Sequence, residues 1–571
     1  PTELVDLPLE LLPQLLAPLV SRRDLISAAV VCRAWRPTAQ QLLLRHVRLL
    51  VETSCVPPPT PRRSQSRAQS LNLAPLPHQA IAPLLFQTLV DHPHLAAMVR
   101  KLEVRVYPLS MKLRERQQME DLAIRMLHNC VAVEDLVWTR KGALTDKCVP
   151  DPPRPPSQKA HLTLDGARRV FEAIVALPKL RSFECNAHTN LSPGSWDADH
   201  FLDLPPLRSL SLILPDRNVA NLLPAFLARQ RTLAATSTSR PGAADDDNVL
   251  LLEELSILCR ESTVINDRVV AALAPSLAGS HLTSLALAGC AKLTGAPLVA
   301  LLPTLPHLRH LALEACALDP PSFFPAAAPH LAALESLKLT HPGPRHPSLA
   351  AFFPALEALL DHTRALTALT LYHSGASATG RREWPVVPLG FVQHVAATVG
   401  ARLRKFEVSG VLVGVEAVEA LLDGARGLSN LVLHLGHDFD LVRPRSLPLS
   451  LSCKGDAEAD DLPCPQPRLT ASFAPLASLR TLHLLSQRAD ISPDDVLSLA
   501  EQCVPLSLLS LSSIPTDPLS TQMLADLRQI GFRNRVWLVR RTYSPADAPA
   551  KVSLAPYDLP WFPEALLVVR T

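Results

Sequence analysis

The side chains best suited to chemistry are the 20 histidines and 11 cysteines of the chain. A nucleophilic cysteine or serine needs a base within hydrogen-bond reach, and a metal needs several ligands at defined spacings. No histidine is spaced from a cysteine or carboxylate as metal ligands are, and the phosphate-loop, dinucleotide-loop, H-E-x-x-H and G-x-S-x-G motifs are absent from the sequence. We therefore expect no catalytic residue, no metal and no cofactor, and the chain is predicted not to be an enzyme itself.

Two acidic segments could suggest a cation site. Asp245–Asp247 are consecutive, and a second acidic stretch runs over residues 456–461. A calcium loop alternates its ligands around the ion, whereas consecutive carboxylates diverge. We interpret both segments as solvated loops.

Length and composition limit the possible classes of protein. A chain of 571 residues is too long for one compact core, which predicts several domains or a solenoid. The net charge of +3 offers no general attraction for nucleic acid or an acidic membrane. No stretch has the pattern of a signal peptide or a membrane span, so we expect an intracellular protein, cytoplasmic and/or nuclear. The odd number of scattered cysteines, without C-x-x-C, is typical of buried thiols.

The start of the chain has a helical pattern of large apolar residues. Pro8 and Glu10 suit the first turn of a helix, and Asp24 is suited to cap a second one. Pro18 removes a hydrogen bond within the first helix and predicts a bend there. A unit of this size cannot bury so many apolar side chains alone, so it needs a partner surface.

This ordered pattern, Leu7-Pro8-x-Glu10 with its leucine pairs, Asp24-Leu25 and Val31-Cys32-Arg33-x-Trp35, resembles the F-box. The F-box is the three-helix module that docks substrate receptors on the adaptor subunit of SCF-type cullin-RING ubiquitin ligases. The resemblance implies that the partners are the adaptor and, through it, the cullin and RING subunits. It also implies that the adaptor is bound by Leu7, Pro8, Leu11, Leu12, Leu15, Leu16, Leu25, Val31, Cys32 and Trp35. The alternative is a cap that seals the following array of repeats.

A repeat of the form L-x-x-L-x-L dominates the rest of the chain. The middle leucines of its clearest copies, Leu285, Leu311 and Leu337, are 26 residues apart each time, which fits one strand, one turn and one helix per repeat. The middle residues of the further copies are Leu102, Leu136, Phe183, Leu210, Leu255, Leu369, Phe406, Leu431, Leu482 and Leu509.

Cys290 and Cys316 follow two of these strands at the position that is asparagine or cysteine in the general pattern. The array is therefore similar to cysteine-containing leucine-rich repeats. This resemblance implies an α/β solenoid with parallel strands on a concave face and helices on a convex face, after the three-helix module.

The predicted domains follow from these two patterns. They are an adaptor-docking module at 1–50, a linker at 51–80, an irregular repeat array at 81–540 and a C-terminal cap or tail at 541–571. Proline-rich or acidic sequences predict loop insertions near 148–160, 236–248 and 443–468.

The residues between the leucines alternate to the face opposite the core, and stacked repeats align them into one surface. This surface mixes both charge signs with histidine, which favours a polar segment of another protein over a polyanion. We predict that it binds a protein substrate through His310, Glu314, Lys338, Tyr372, Lys405, Glu407, His434 and His483. The sequence thus predicts a ligase substrate receptor, with a binding scaffold without ligase turnover as the alternative.

Overall fold

The fold is that of a computed structural model of the chain. The structure describes residues 35–49, 78–104, 113–139, 169–186, 201–238, 251–342, 346–373, 385–435, 478–486, 508–513, 535–542 and 551–556, together with Leu16, Ile26, Ala29, Val30 and Leu476. The chain divides into two compact units, residues 1–257 with Thr571, and residues 258–570. Both units are α/β, with parallel strands that follow one another in chain order. No described helix is both long and apolar enough to cross a membrane.

The first unit alternates helices and strands. Its described helices include α1 (Trp35–Arg45), α2 (His78–Asp91), α3 (Pro93–Ala96), α4 (Leu113–Asn129) and α5 (Arg217–Thr238). Its strands are β1 (His46–Leu49), β2 (Lys101–Val104), β3 (Asp135–Trp138), β4 (Ser182–Asn186) and β5 (Ser209–Ile213). Each strand pairs in parallel with the next. The boundary between the units falls within β6 (Glu254–Asn266).

The second unit continues the alternation. Its helices are α6 (Asp267–Leu277), α7 (Gly295–Leu301), α8 (Pro320–Ala327), α9 (Leu349–Leu360), α10 (Leu389–Thr398) and α11 (Val415–Gly424). Its parallel strands are β7 (Ser284–Lys292), β8 (His310–Glu314), β9 (Ser336–Thr340), β10 (Ala368–Tyr372), β11 (Lys405–Val413), β12 (Asn430–Leu435), β13 (Thr481–Ser486) and β14 (Leu508–Ser513). Two antiparallel strands end the series, β15 (Arg535–Thr542) and β16 (Lys551–Pro556).

The middle apolar residues of the predicted repeats form a row across the strands of each unit. Leu285, Leu311, Leu337 and Leu369 are paired in register, and each is at most 2% exposed. Burial of one such side chain stabilises the fold by about 1.5–3 kcal/mol. The row confirms the strand positions that the L-x-x-L-x-L pattern predicts, whereas the curvature of the array stays a prediction.

One backbone carbonyl ties each repeat to the next. The carbonyl of Arg309, directly before β8, accepts hydrogen bonds from the N–H groups of Glu335 and Ser336 at 2.7 and 2.9 Å. Glu335 then accepts from Thr367 and Ala368 at 2.8 and 3.0 Å. The same double acceptor recurs at Arg100, Glu134, Arg181, Arg208, Thr283, Thr367, Arg404 and Ser429. Because buried backbone groups must be paired, this contact sets the register of every repeat that has it.

The sixth residue from the start of four strands has a left-handed backbone. These residues are Leu214, Gly289, Ala315 and Gly410, with φ between 48° and 71°. Glycine adopts this conformation without strain, whereas leucine or alanine costs about 1–2 kcal/mol. Gly410 lies where the pairing of β11 with β12 shifts register, between Glu407 and Leu412.

Several predicted boundaries differ from the structure or lie outside it. Strand β1, within the predicted docking module, pairs with β2, so the sheet starts before residue 81. Strand β15 lies at the end of the predicted repeat array but runs antiparallel to β14, and β16 lies in the predicted cap. Most of the predicted linker and all of the predicted insertions except 236–238, the end of α5, lie outside the described residues.

Helices α10 and α11 approach closely through glycine. A Cβ atom added at Gly424 would lie 2.6 Å from Ala396 Cβ, and one at Gly400 would lie 2.8 Å from the Gly424 carbonyl oxygen. Distances this short are not tolerated between side-chain and backbone atoms, so a larger residue at Gly424 must push the two turns apart.

We expect Gly424→Ala to lower the free energy of unfolding by about 1–3 kcal/mol, because the added methyl group overpacks this contact. Urea denaturation followed by circular dichroism measures the change. Gly390→Ala in α10 is the matched control, since its Cβ meets nothing within 4 Å and should raise stability by about 0.5 kcal/mol. Equal effects of the two substitutions would contradict the close contact.

Candidate functional site

Polar side chains of the second unit form rows across its parallel strands. The third residues of β9, β10 and β11 are Lys338, Thr370 and Glu407, which the register of the sheet aligns side by side. Adjacent strands are about 4.8 Å apart, so neighbouring side chains of one row lie within reach of each other. The leucines between them point to the core, as the alternation along a strand requires.

Glu407 is the centre of this row. Its side chain is 5% exposed, and its Oε1 lies 3.0 Å from Nζ of Lys405, two residues earlier on the same strand. Thr370 Oγ1 donates a hydrogen bond of 3.1 Å to Glu407 Oε2. A buried carboxylate is tolerated only when its charge and lone pairs are satisfied, and these two contacts provide that. Thr370 was not among the predicted site residues, although its place in the strand pattern matched theirs.

A second polar group lies at the fifth strand residues. Glu314 ends β8 and is 1% exposed, and Tyr372 ends β10. Burial, together with the negative charge of Glu314, raises the pKa of Tyr372 to about 12. The Tyr372 phenol therefore keeps its proton at neutral pH and is available as a hydrogen-bond donor.

The eight predicted substrate-binding residues differ in their exposure. His310 is exposed, and Lys338, Tyr372 and Lys405 are half-buried. The prediction of an open surface is wrong for the four buried residues, Glu314, Glu407, His434 and His483. Whether any of the eight binds a substrate stays a prediction.

The burial of the two histidines follows from the strands around them. The register shift in β11 places His434 opposite Leu412, and Leu485 of β13 lies on its other side. His483 is paired with Val432 and Ser510. Burial lowers the pKa of His483 to about 3, so its imidazole is neutral in the folded chain.

Three cysteines form a cluster next to these rows. Cys290 shares side-chain hydrogen bonds with Cys259 and Cys316, and these bonds, with burial, hold the pKa of Cys290 far above its usual range. Cys316 Sγ also contacts the carbonyl oxygens of Leu287 and Glu314 at 3.6 and 3.5 Å. Cys290 is thus a packed, protonated thiol, as the sequence predicts, and not a nucleophile. The sequence analysis did not identify Cys259, because its distance in sequence from the middle leucine of its repeat differs from that of Cys290 and Cys316.

The structure describes two of the ten predicted adaptor-binding residues. Leu16 is 3% exposed and forms a small core with Ala39 of α1. Trp35 begins α1 and packs, half-buried, against this core together with Ala29, Leu42 and Leu43. The other predicted residues, Leu7, Pro8, Leu11, Leu12, Leu15, Leu25, Val31 and Cys32, lie outside the described residues.

An apolar pair that the sequence analysis missed lies on the surface near this core. Ile26 and Val30 are both helical, four residues apart in sequence, and 56% and 79% exposed. Residues four apart share one face of a helix. The adaptor-binding residues predicted in this part of the sequence are Leu25, Val31 and Cys32, so only the structure identifies this pair.

Comparisons with known proteins add little. No protein-family model matches the chain, and no curated protein matches it. One solved structure that it resembles is the "Crystal structure of Rad7 and Elc1 complex in yeast". That similarity has 14% sequence identity, covers 75% of this chain and 82% of that chain, and has a TM-score of 0.29. A TM-score this low carries no conclusion about function.

Within the described residues, no group of three His, Cys, Asp or Glu side chains is arranged to hold a metal ion.

Buried neutral histidines make stability depend on pH. The pKa of His341 is lowered to about 4 by burial, and that of His483 to about 3, whereas an unfolded histidine titrates near pH 6.5. The stabilisation is complete above the unfolded pKa and is lost as the pH falls below it. As the pH falls from about 7 to about 5, each of these histidines takes up a proton in the unfolded chain only. We expect this uptake to lower the free energy of unfolding by about 2 kcal/mol per histidine.

Urea denaturation at both pH values tests this dependence. His483→Gln should reduce the difference between the two pH values by about 2 kcal/mol, because one proton-uptake site of the unfolded chain is removed. His310→Gln is the matched control, since it makes the same substitution at an exposed strand residue. An unaltered pH dependence in His483→Gln would contradict a neutral His483.

Proposed function

We propose that the chain is the substrate-recognition subunit of an SCF-type cullin-RING ubiquitin ligase. The observation that carries the proposal is the exposed apolar pair Ile26 and Val30, 56% and 79% exposed. Ala29, the residue before Val30, packs against the core of Leu16 and Ala39. Contiguous exposed apolar surface is typical of docking sites. It supports the F-box resemblance of this segment, in which an adaptor subunit covers the apolar helices.

In this proposal the repeats of the second unit bind a protein substrate. Their polar rows offer hydrogen-bond donors and charges held on strands, with Lys338 and Tyr372 half-buried and His310 exposed. The chain itself is non-catalytic and acts inside the cell, in cytoplasm and/or nucleus. Tethering holds a substrate lysine near the charged conjugating enzyme at high effective concentration, which accelerates transfer.

A second candidate is a binding scaffold whose first segment only caps the repeats. The direct continuation of α1 into β1, between Arg45 and His46, favours this alternative, because a cap is expected to be continuous with the first strand. The two candidates differ in whether an adaptor is bound.

Binding of the purified adaptor to the full chain distinguishes them. We expect the double variant Ile26→Asp/Val30→Asp to weaken binding by about thirtyfold or more, because two charges enter an apolar interface. Leu84→Asp in α2 is the matched control, since Leu84 is 54% exposed in the same unit and should not affect binding. Isothermal titration calorimetry measures the affinities, and circular dichroism verifies that each variant is folded. No binding by the wild-type chain, or equal losses in both variants, contradicts the proposal.

A further inference from the structure

Four exposed arginines lie on the turns that precede three neighbouring strands of the second unit. Arg364 precedes β10, Arg402 and Arg404 precede β11, and Arg426 precedes β12. We call this group the basic edge. Because the strands are parallel, their starts meet at one edge of the sheet, and three adjacent strands span about 10 Å.

Two of these side chains are held in place by the backbone of neighbouring turns. Arg402 Nη1 donates a hydrogen bond of 2.8 Å to the carbonyl of Arg364, and Arg404 Nη1 donates one of 3.0 Å to the carbonyl of Gly427. A Cβ atom at Gly427 would lie 2.7 Å from Arg404 Nη1, so this position of Arg404 requires glycine. A guanidinium has five N–H donors, and these bonds leave most of them for a ligand.

Arginines at the equivalent position of other repeats are neutralised. Arg309 and Arg100 each lie directly before a strand, as Arg404 does, and each pairs with a glutamate of the next repeat, at 3.1 Å to Glu335 and 2.6 Å to Glu134. The residue that follows Arg404 in this series is Ser429, which is uncharged and donates its hydroxyl to the Arg404 carbonyl.

The acidic side chains close to the basic edge do not neutralise the positive charge of its four arginines. Asp361 Oδ1 lies 3.1 Å from Nε2 of His394, and Asp423 lies at the end of α11. Among the described residues, no carboxylate forms an ion pair with any of the four arginines. Their positive charge is therefore available to a partner.

We propose that the basic edge binds an extended acidic segment of a partner protein. Arg402 and Arg404 reach towards opposite neighbouring repeats, so the charges are spread along the edge and do not converge on one point. A single phosphate is bound best by converging donors, whereas an extended segment with several carboxylates matches a row of separate guanidinium groups. This surface is distinct from the polar rows and does not depend on an adaptor.

Fluorescence anisotropy of a labelled Glu/Asp peptide titrated with the full chain tests the proposal. We expect saturable binding that weakens with added salt and falls by about tenfold in Arg364→Glu/Arg426→Glu. A second variant, Arg402→Gln/Arg404→Gln, should also weaken binding. The control Arg217→Glu/Arg268→Glu makes the same change in net charge at exposed helix positions and should leave the affinity unchanged.

Three outcomes overturn the proposal. They are the absence of saturable binding to the wild-type chain, an equal loss of affinity in the control variant, and tighter binding of a singly phosphorylated neutral peptide or a single-stranded oligonucleotide than of the acidic peptide. Adaptor binding measured on the same variants should be unaffected, so failure here is distinguishable from failure of the proposed receptor function.

Discussion

The backbone carbonyl that precedes a strand and accepts two N–H groups of the next repeat, present at ten positions of the described residues, is the contact on which the stacking of the repeats depends. Arg309, Glu335 and Thr367 show it in succession. Because it sets the register, equivalent residues of successive repeats become neighbours, however many residues separate them in the chain. The leucine row, the polar rows and the basic edge are all consequences of this one constraint.

The sequence predicts the strands well because the L-x-x-L-x-L pattern reports burial directly. It predicts the exposure of the polar residues less well, because exposure depends on features without a local signal. The register shift in β11 puts His434 opposite Leu412, and Glu407 is covered by Thr370 from another repeat. The antiparallel direction of β15 and the surface pair Ile26 and Val30 likewise depend on tertiary packing.

The charges along the basic edge show the same limit of prediction from the sequence. In the sequence, Arg309 and Arg404 are equivalent residues two positions before a middle apolar residue. The two arginines differ in the residue of the next repeat that contacts them, which is Glu335 for Arg309 and Ser429 for Arg404. Glu335 and Ser429 hold the same position as these arginines in the next repeats, but the contact that each makes with its arginine is seen only in the paired sheet. A stacked array thus creates local surfaces that no single repeat encodes.

The central claim is that one end of the chain joins a ligase while the other binds a partner. Quantitative mass spectrometry of proteins that co-purify with the tagged full chain from cells tests it most directly. The account predicts that cullin, RING and adaptor subunits co-purify with the wild-type chain and are lost from Ile26→Asp/Val30→Asp, while other partners remain. Absence of cullin from the wild-type purification would contradict the account and leave a repeat scaffold.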